Sequence, residues 1–101
     1  MMYYLYILYS PTSDKYYVGY SNDPHSRLLA HNSTDRVTYT SKYRPWVLKA
    51  IFSCGKVEGE AMRIEKFIKK QKSRKLLEKL ISGELLTGIL AQLVRIPQVQ
   101  N

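Results

Sequence analysis

The chain has a single cysteine, half as many acidic as basic residues, and no long apolar run, and each shortage removes a class of protein. Cys54 alone can form neither an intramolecular disulfide nor a multi-thiolate zinc site within one chain. As a nucleophile it would need a base partner that its surroundings in sequence do not supply, so it is expected to be a buried strand residue. No hydrophobic stretch approaches the roughly 20 residues that cross a bilayer, so no membrane partner is expected. The opening Met1-Met2-Tyr3-Tyr4-Leu5-Tyr6-Ile7-Leu8 lacks the basic leader and small-residue cleavage site of a secretory signal, which predicts a cytoplasmic location. Internal repeats and low-complexity linkers are also missing.

What remains is 101 residues, 45% of them hydrophobic, which is too apolar for a disordered polymer. A chain of this size suits one domain with one core, burying roughly 65% of the surface its unfolded form exposes. Sixteen Lys and Arg against eight Asp and Glu give a net charge of +8, and that sign implies an anionic partner, most often nucleic acid. The cations cluster: between Lys66 and Lys79 seven positions are basic and only Glu78 is acidic. A solvated helix face explains such a run equally well, and the salt dependence of nucleic-acid affinity separates the two readings.

Periodicity predicts strand, strand, helix, strand, helix, helix and an uncertain tail. Residues 3–9 are aromatic and aliphatic, Ser10-Pro11-Thr12-Ser13-Asp14 is rich in turn formers, and residues 15–20 read as a second strand, so the pair forms a hairpin. With Tyr9 opposite Tyr16, Tyr6 faces Gly19 and Leu8 faces Tyr17, which puts Tyr6 and Tyr17 on one sheet face as diagonal neighbours. A slip by one residue would separate them. Gly19, without a side chain, leaves room opposite Tyr6 for that ring or for an approaching phosphate. Asn22 or Asp23 caps the next helix, Pro24 suits its first turn, and it runs to about Asn32. On it Arg27 and His31 share a face, while Leu28 and Leu29 supply the apolar contact to the sheet.

Residues 33–45 form a polar loop ending in Ser41-Lys42-Tyr43-Arg44-Pro45, where Lys42 and Arg44, interleaved with Tyr39 and Tyr43, are candidates for gripping phosphates and stacking on bases. A third strand follows over Trp46–Phe52, with Pro45 at its start. From about Glu58 to Lys72, Ala61, Ile64, Phe67 and Ile68 follow helical spacing. Glu65 sits on the margin of that stripe, where it either reaches a shared pocket at the sheet edge or pairs with Lys69 four residues on. A further helix spans Arg74–Ile81 and ends at Gly83. Residues 1–82 are therefore read as the domain, and 83–101 as a tail without an assigned role, although Ile89, Leu90, Leu93 and Val94 follow a helix-like pattern.

Taken in order, these residues resemble the GIY-YIG nucleases, a family that includes the N-terminal catalytic domain of the bacterial excision-repair excinuclease and compact structure-specific endonucleases. The resemblance covers roughly residues 2–81. Tyr4-Leu5-Tyr6 stands where the family has Gly-Ile-Tyr, Tyr17-Val18-Gly19 where it has Tyr-Ile-Gly, and Arg27, His31 and Glu65 match its recurring helix positions. Two positions depart from the pattern: Tyr4 replaces the first glycine, and Tyr20 follows Gly19 where many members have lysine.

The resemblance implies an α+β fold, a three-stranded antiparallel sheet flanked by helices, with a phosphodiesterase site on one sheet face. It implies a metal-dependent endonuclease acting on DNA, in repair or in processing of branched structures. The alternative is a catalytically silent nucleic-acid-binding module of the same fold. Catalytic roles fall to Tyr6, Tyr17, Arg27, His31 and Glu65, and substrate contacts to Gly19, Lys42 and Arg44. Glu65 is expected to hold one Mg²⁺ or Mn²⁺, a hard ion needing few carboxylates. Arg27 is expected to stabilise the phosphorane charge, Tyr17 to polarise the attacking water with Tyr6 in support, and His31 to orient a tyrosine or contact phosphate. A protein partner or homodimer is expected to add substrate specificity.

Overall fold

The hairpin has the register read from the sequence. In the computed structural model, which describes residues 1–33, 38–84 and 86–97, β1 (Tyr3–Ser10) pairs antiparallel with β2 (Lys15–Ser21), and Tyr9 lies opposite Tyr16, Tyr6 opposite Gly19 and Leu8 opposite Tyr17. Part of the 33–45 loop and the end of the tail lie outside these residues. The turn closes through Asp14 at φ 53°, a left-handed conformation that a short polar side chain tolerates.

Asp23 caps α1 (Pro24–Ser33), its carboxylate accepting from the Ser26 backbone N–H at 3.2 Å. Leu28 packs against Tyr6, Leu8 and Trp46, but Leu29 is 68% exposed, which corrects the expectation that both leucines face the sheet. Adjacent helical residues point about 100° apart, so a narrow contact takes only one of them. After a 3₁₀ turn (Thr40–Tyr43), β3 (Val47–Gly55) pairs with the other side of β1. Two helices follow, α2 (Glu58–Gln71) and α3 (Arg74–Ser82), the second capped by the Ser73 hydroxyl and ended by Gly83 at φ 81°.

The sheet has four strands in the order β2-β1-β3-β4, not three, because β4 (Val94–Ile96) adds to the outer side of β3. The apolar spacing of residues 89–94 reads as a helix, yet a 3₁₀ turn (Gly88–Gln92) and a three-residue strand divide it. Pairing to an open sheet edge outweighs a local periodicity this short. Leu90 and Leu93 enter the same core as the strands.

Central β1 has both faces covered, with Leu5, Tyr6, Ile7 and Leu8 each no more than 1% exposed. Leu5 and Ile7 meet Ala61, Ile64 and Ile68 of α2 and Leu80 of α3; Tyr6 and Leu8 meet Trp46 and Leu28 on the opposite face. Phe67, expected in the stripe, lies on its rim at 36% exposure, and Cys54 is buried as expected. No helix among the described residues is long and apolar enough to cross a membrane.

Candidate active site

Because β2 is an edge strand, α2 on one face and α1 on the other can both reach round it, and a cleft of about 440 Å³ opens there. Tyr6 and Tyr17 line it beside Gly19, Arg27 comes from α1, and Glu65 and Glu58 come from α2. Five of the residues read from the sequence thus meet in one place. Tyr6 and Tyr17 are close on the sheet face, with ring centroids 6.4 Å apart.

His31 stands behind this group. Its Nε2 is 3.0 Å from the Tyr6 hydroxyl and its Nδ1 is 2.9 Å from Thr40 Oγ1. Burial pushes the Tyr6 phenol up to about 12, Tyr17 adds to that, and the Arg27 guanidinium partly opposes it. Burial also lowers the His31 pKa below the ordinary imidazole value, and the charges of Arg27 and Arg44 push the same way. Tyr6 therefore keeps its proton and donates it to a neutral Nε2. The Nδ1–H then donates to Thr40, whose own hydroxyl is free to reach Thr38 Oγ1 at 3.2 Å.

The backbone around His31 is held just as firmly. Arg44 Nε donates to the His31 carbonyl at 2.6 Å, and Trp46 Nε1 donates to the Thr40 carbonyl at 2.7 Å. The Asn32 amide clamps Trp46 in both directions, accepting from its N–H at 2.6 Å and donating to its carbonyl at 3.0 Å. Arg44, expected to contact substrate, is half-buried and ties α1 to the loop; Lys42 is exposed and lines none of the walls described here.

Gly19 has the role its position implied. A Cβ there would lie 2.5 Å from the Tyr6 hydroxyl oxygen and 2.6 Å from its ring carbon, closer than van der Waals contact allows. Gly19→Ala is expected to push the ring off His31, costing about 1–3 kcal/mol of stability by overpacking. Chemical denaturation measures the loss, and the displaced Tyr6 lowers catalysis as well; a variant as stable and as active as the parent would remove the role of that contact.

Glu65 answers to both of its readings. It lines the cleft with a side chain 16% exposed, and it also pairs with Lys69 Nζ at 3.3 Å. Lys69 in turn lies over the Tyr17 ring, 5.4 Å from its centroid. The sequence marks Lys69 as part of a basic run and as a partner for Glu65 but not as a neighbour of Tyr17, and it does not mark Thr40, since nothing in one sequence places a threonine beside a histidine nine residues earlier. Tyr20, which departs from the family pattern, donates its hydroxyl to Glu58 at 3.1 Å on the far side of the cleft.

Among the described residues no three His, Cys, Asp or Glu side chains gather into a metal cage. Two carboxylates line the cleft, Glu58 accepting from Tyr20 and Glu65 paired with Lys69, and so small an oxygen set beside phenols fits an ion that keeps most of its waters, as Mg²⁺ does, better than zinc with its nitrogen and sulfur donors. A buried phenol hydrogen-bonded to a half-buried imidazole, one open phenol, one guanidinium and two carboxylates around a cleft suffice to bind and hydrolyse a phosphodiester.

A family model described as the GIY-YIG catalytic domain matches residues 2–79. No curated protein matches the chain.

Proposed function

The chain belongs to the GIY-YIG catalytic-domain family, so its activity is that of a nuclease on nucleic acid, and from that premise we propose an endonuclease that uses Mg²⁺ or Mn²⁺ to hydrolyse phosphodiester bonds in DNA, in repair or in processing of branched structures. The supporting observation is the cleft on which Tyr6, Tyr17, Arg27 and Glu65 converge.

Arg27, exposed at the rim, grips the scissile phosphate with its guanidinium fork and offsets the charge that gathers on the phosphoryl oxygens. Tyr17, half-buried and open to the cleft, orients the attacking water and, as the phenolate, takes the proton that the water loses and then returns it to solvent. Tyr6, tied to His31, fixes the wall against which the phosphate sits. Glu65 holds the divalent ion, which when bound supplies Lewis-acid stabilisation of the phosphoryl oxygens. Lys69, already paired with Glu65 at 3.3 Å, holds that carboxylate in place at the cleft.

Metal titration on supercoiled plasmid and branched DNA tests the reading. Nicking is expected to require Mg²⁺ or Mn²⁺, to stop in chelator, and to fall about 100-fold or more in Glu65→Gln. Undiminished cutting in chelator overturns the metal role. Salt-sensitive binding without cutting under any metal identifies the silent binding module instead.

A further inference from the structure

A second groove, of about 380 Å³, continues along the outer edge of β2 beyond Tyr17, towards the hairpin turn. Tyr17 is a wall of both this groove and the active-site cleft, so the two adjoin at that ring. Its floor is apolar and its walls carry Lys15, Lys69, Lys72 and Arg74 against one acid, Asp14. Asp14 is itself neutralised by Arg74, which also contacts Glu78 and stacks on Tyr16. Lys69 is shared with Glu65.

Lys15 and Lys72 remain without a carboxylate partner among the described residues. Lys15 Nζ lies 4.9 Å from the Tyr43 ring centroid. Lys72 occupies the left-handed position that ends α2, at φ 48°, where glycine or asparagine is the usual choice.

The remaining wall is aromatic. Tyr39 is 51% exposed, meets Tyr43 edge-on at 5.0 Å between centroids, and stands 6.5 Å from Tyr17 with the two ring planes 30° apart. A duplex keeps its bases stacked inside and offers such rings only backbone. An unpaired strand offers both phosphates for the lysines and open base faces for the tyrosines.

We propose that this groove binds the single-stranded segment of a flapped or branched DNA and leads it past Tyr17 into the cleft, with Tyr39 as the stacking platform and Lys15 and Lys72 as phosphate contacts. The inference rests on the nuclease reading of the adjoining cleft and names the form of its substrate. It also gives the basic stretch at the α2–α3 junction a specific task, while Lys66, Lys70, Lys75 and Lys79 lie outside the groove walls.

Binding in chelator, where nothing is cut, separates this from catalysis. Fluorescence anisotropy of the full chain compares a blunt duplex with the same duplex carrying a 3′ or a 5′ single-stranded flap. At least one flap is expected to bind about fivefold or more tightly than the blunt duplex. Tyr39→Ala is expected to bring that ratio close to one, with Tyr39→Phe, which keeps the ring, restoring most of it. The Lys15→Gln/Lys72→Gln pair is expected to flatten the dependence of log affinity for the flap on log salt by about 1.4, at about 0.7 per single-strand phosphate contact. A wild-type ratio near one for both flaps overturns the proposal, as does an unchanged ratio in Tyr39→Ala with an unchanged salt slope in the lysine pair. A flap preference that persists in a protein that never cuts would overturn the nuclease reading and leave the groove intact.

Discussion

Arg27→Ala is expected to lower the rate of DNA cleavage by about 10³-fold or more, the scale on which an arginine aimed at a transferring phosphoryl group acts. The fold leans on this side chain only through its hydrogen bond to the Tyr6 hydroxyl. Arg27 is exposed on α1, no carboxylate pairs with it among the described residues, and the helix hydrogen bond at this position is made by its backbone N–H to the Asp23 carbonyl. Its removal should therefore cost no more than that one hydrogen bond, about 1 kcal/mol of unfolding stability. Arg27→Lys sharpens the test, because it keeps the charge and loses the fork that engages two phosphate oxygens at once. If the fork matters, lysine recovers little of the lost rate; if only the field in the cleft matters, it recovers most. Single-turnover cleavage, with folding checked by denaturation, gives the answer, and a rate within about tenfold of the parent in Arg27→Ala would remove Arg27 from the chemistry.

Several of these placements were legible in the sequence because strand geometry is periodic. Once Tyr9 is set against Tyr16, the two-residue repeat forces Tyr6 opposite Gly19 and brings Tyr17 onto the same face, and no tertiary information is needed. The four-residue step from Arg27 to His31 is equally local. Glu65 was ambiguous because helical periodicity fixes a residue's angle about its axis but not what lies beyond the sheet edge. The structure resolves it by letting α2 pass close enough to edge strand β2 for one carboxylate to serve the cleft and Lys69 together. The fourth strand and the His31–Thr40 contact were not legible for the same reason: each joins segments that no local pattern relates. Arg44 has a contact that its sequence does not announce. A basic residue next to Tyr43 reads as a candidate phosphate contact, and its guanidinium also hydrogen-bonds the carbonyl of the residue whose imidazole supports Tyr6.

The two tyrosines carry different expectations. Tyr6 is held protonated by burial and by a neutral histidine that accepts its proton, so at neutral pH it cannot be the phenolate that draws on water. Tyr17 shares the cleft and lacks that tether. Tyr17→Phe is accordingly expected to cost about 10² to 10⁴ in single-turnover rate, the range for loss of a general acid or base. Tyr6→Phe is expected to cost less, and it should be non-additive with His31→Asn, because both break one hydrogen bond and the double variant loses little beyond either alone. The pH profile adds an independent sign. The folded state lowers the His31 pKa, so the Tyr6 contact is intact above the ordinary imidazole pKa of about 6.5 and is lost as pH falls through the depressed value, when a protonated Nε2 can no longer accept. The acid limb of the wild-type rate should therefore lie below about pH 6.5 and should shift or flatten in both Tyr6→Phe and His31→Asn. If Tyr6→Phe instead proves the more damaging change and Tyr17→Phe retains the parental rate, the proton leaves water through Tyr6 to His31, and the roles of the two phenols are exchanged.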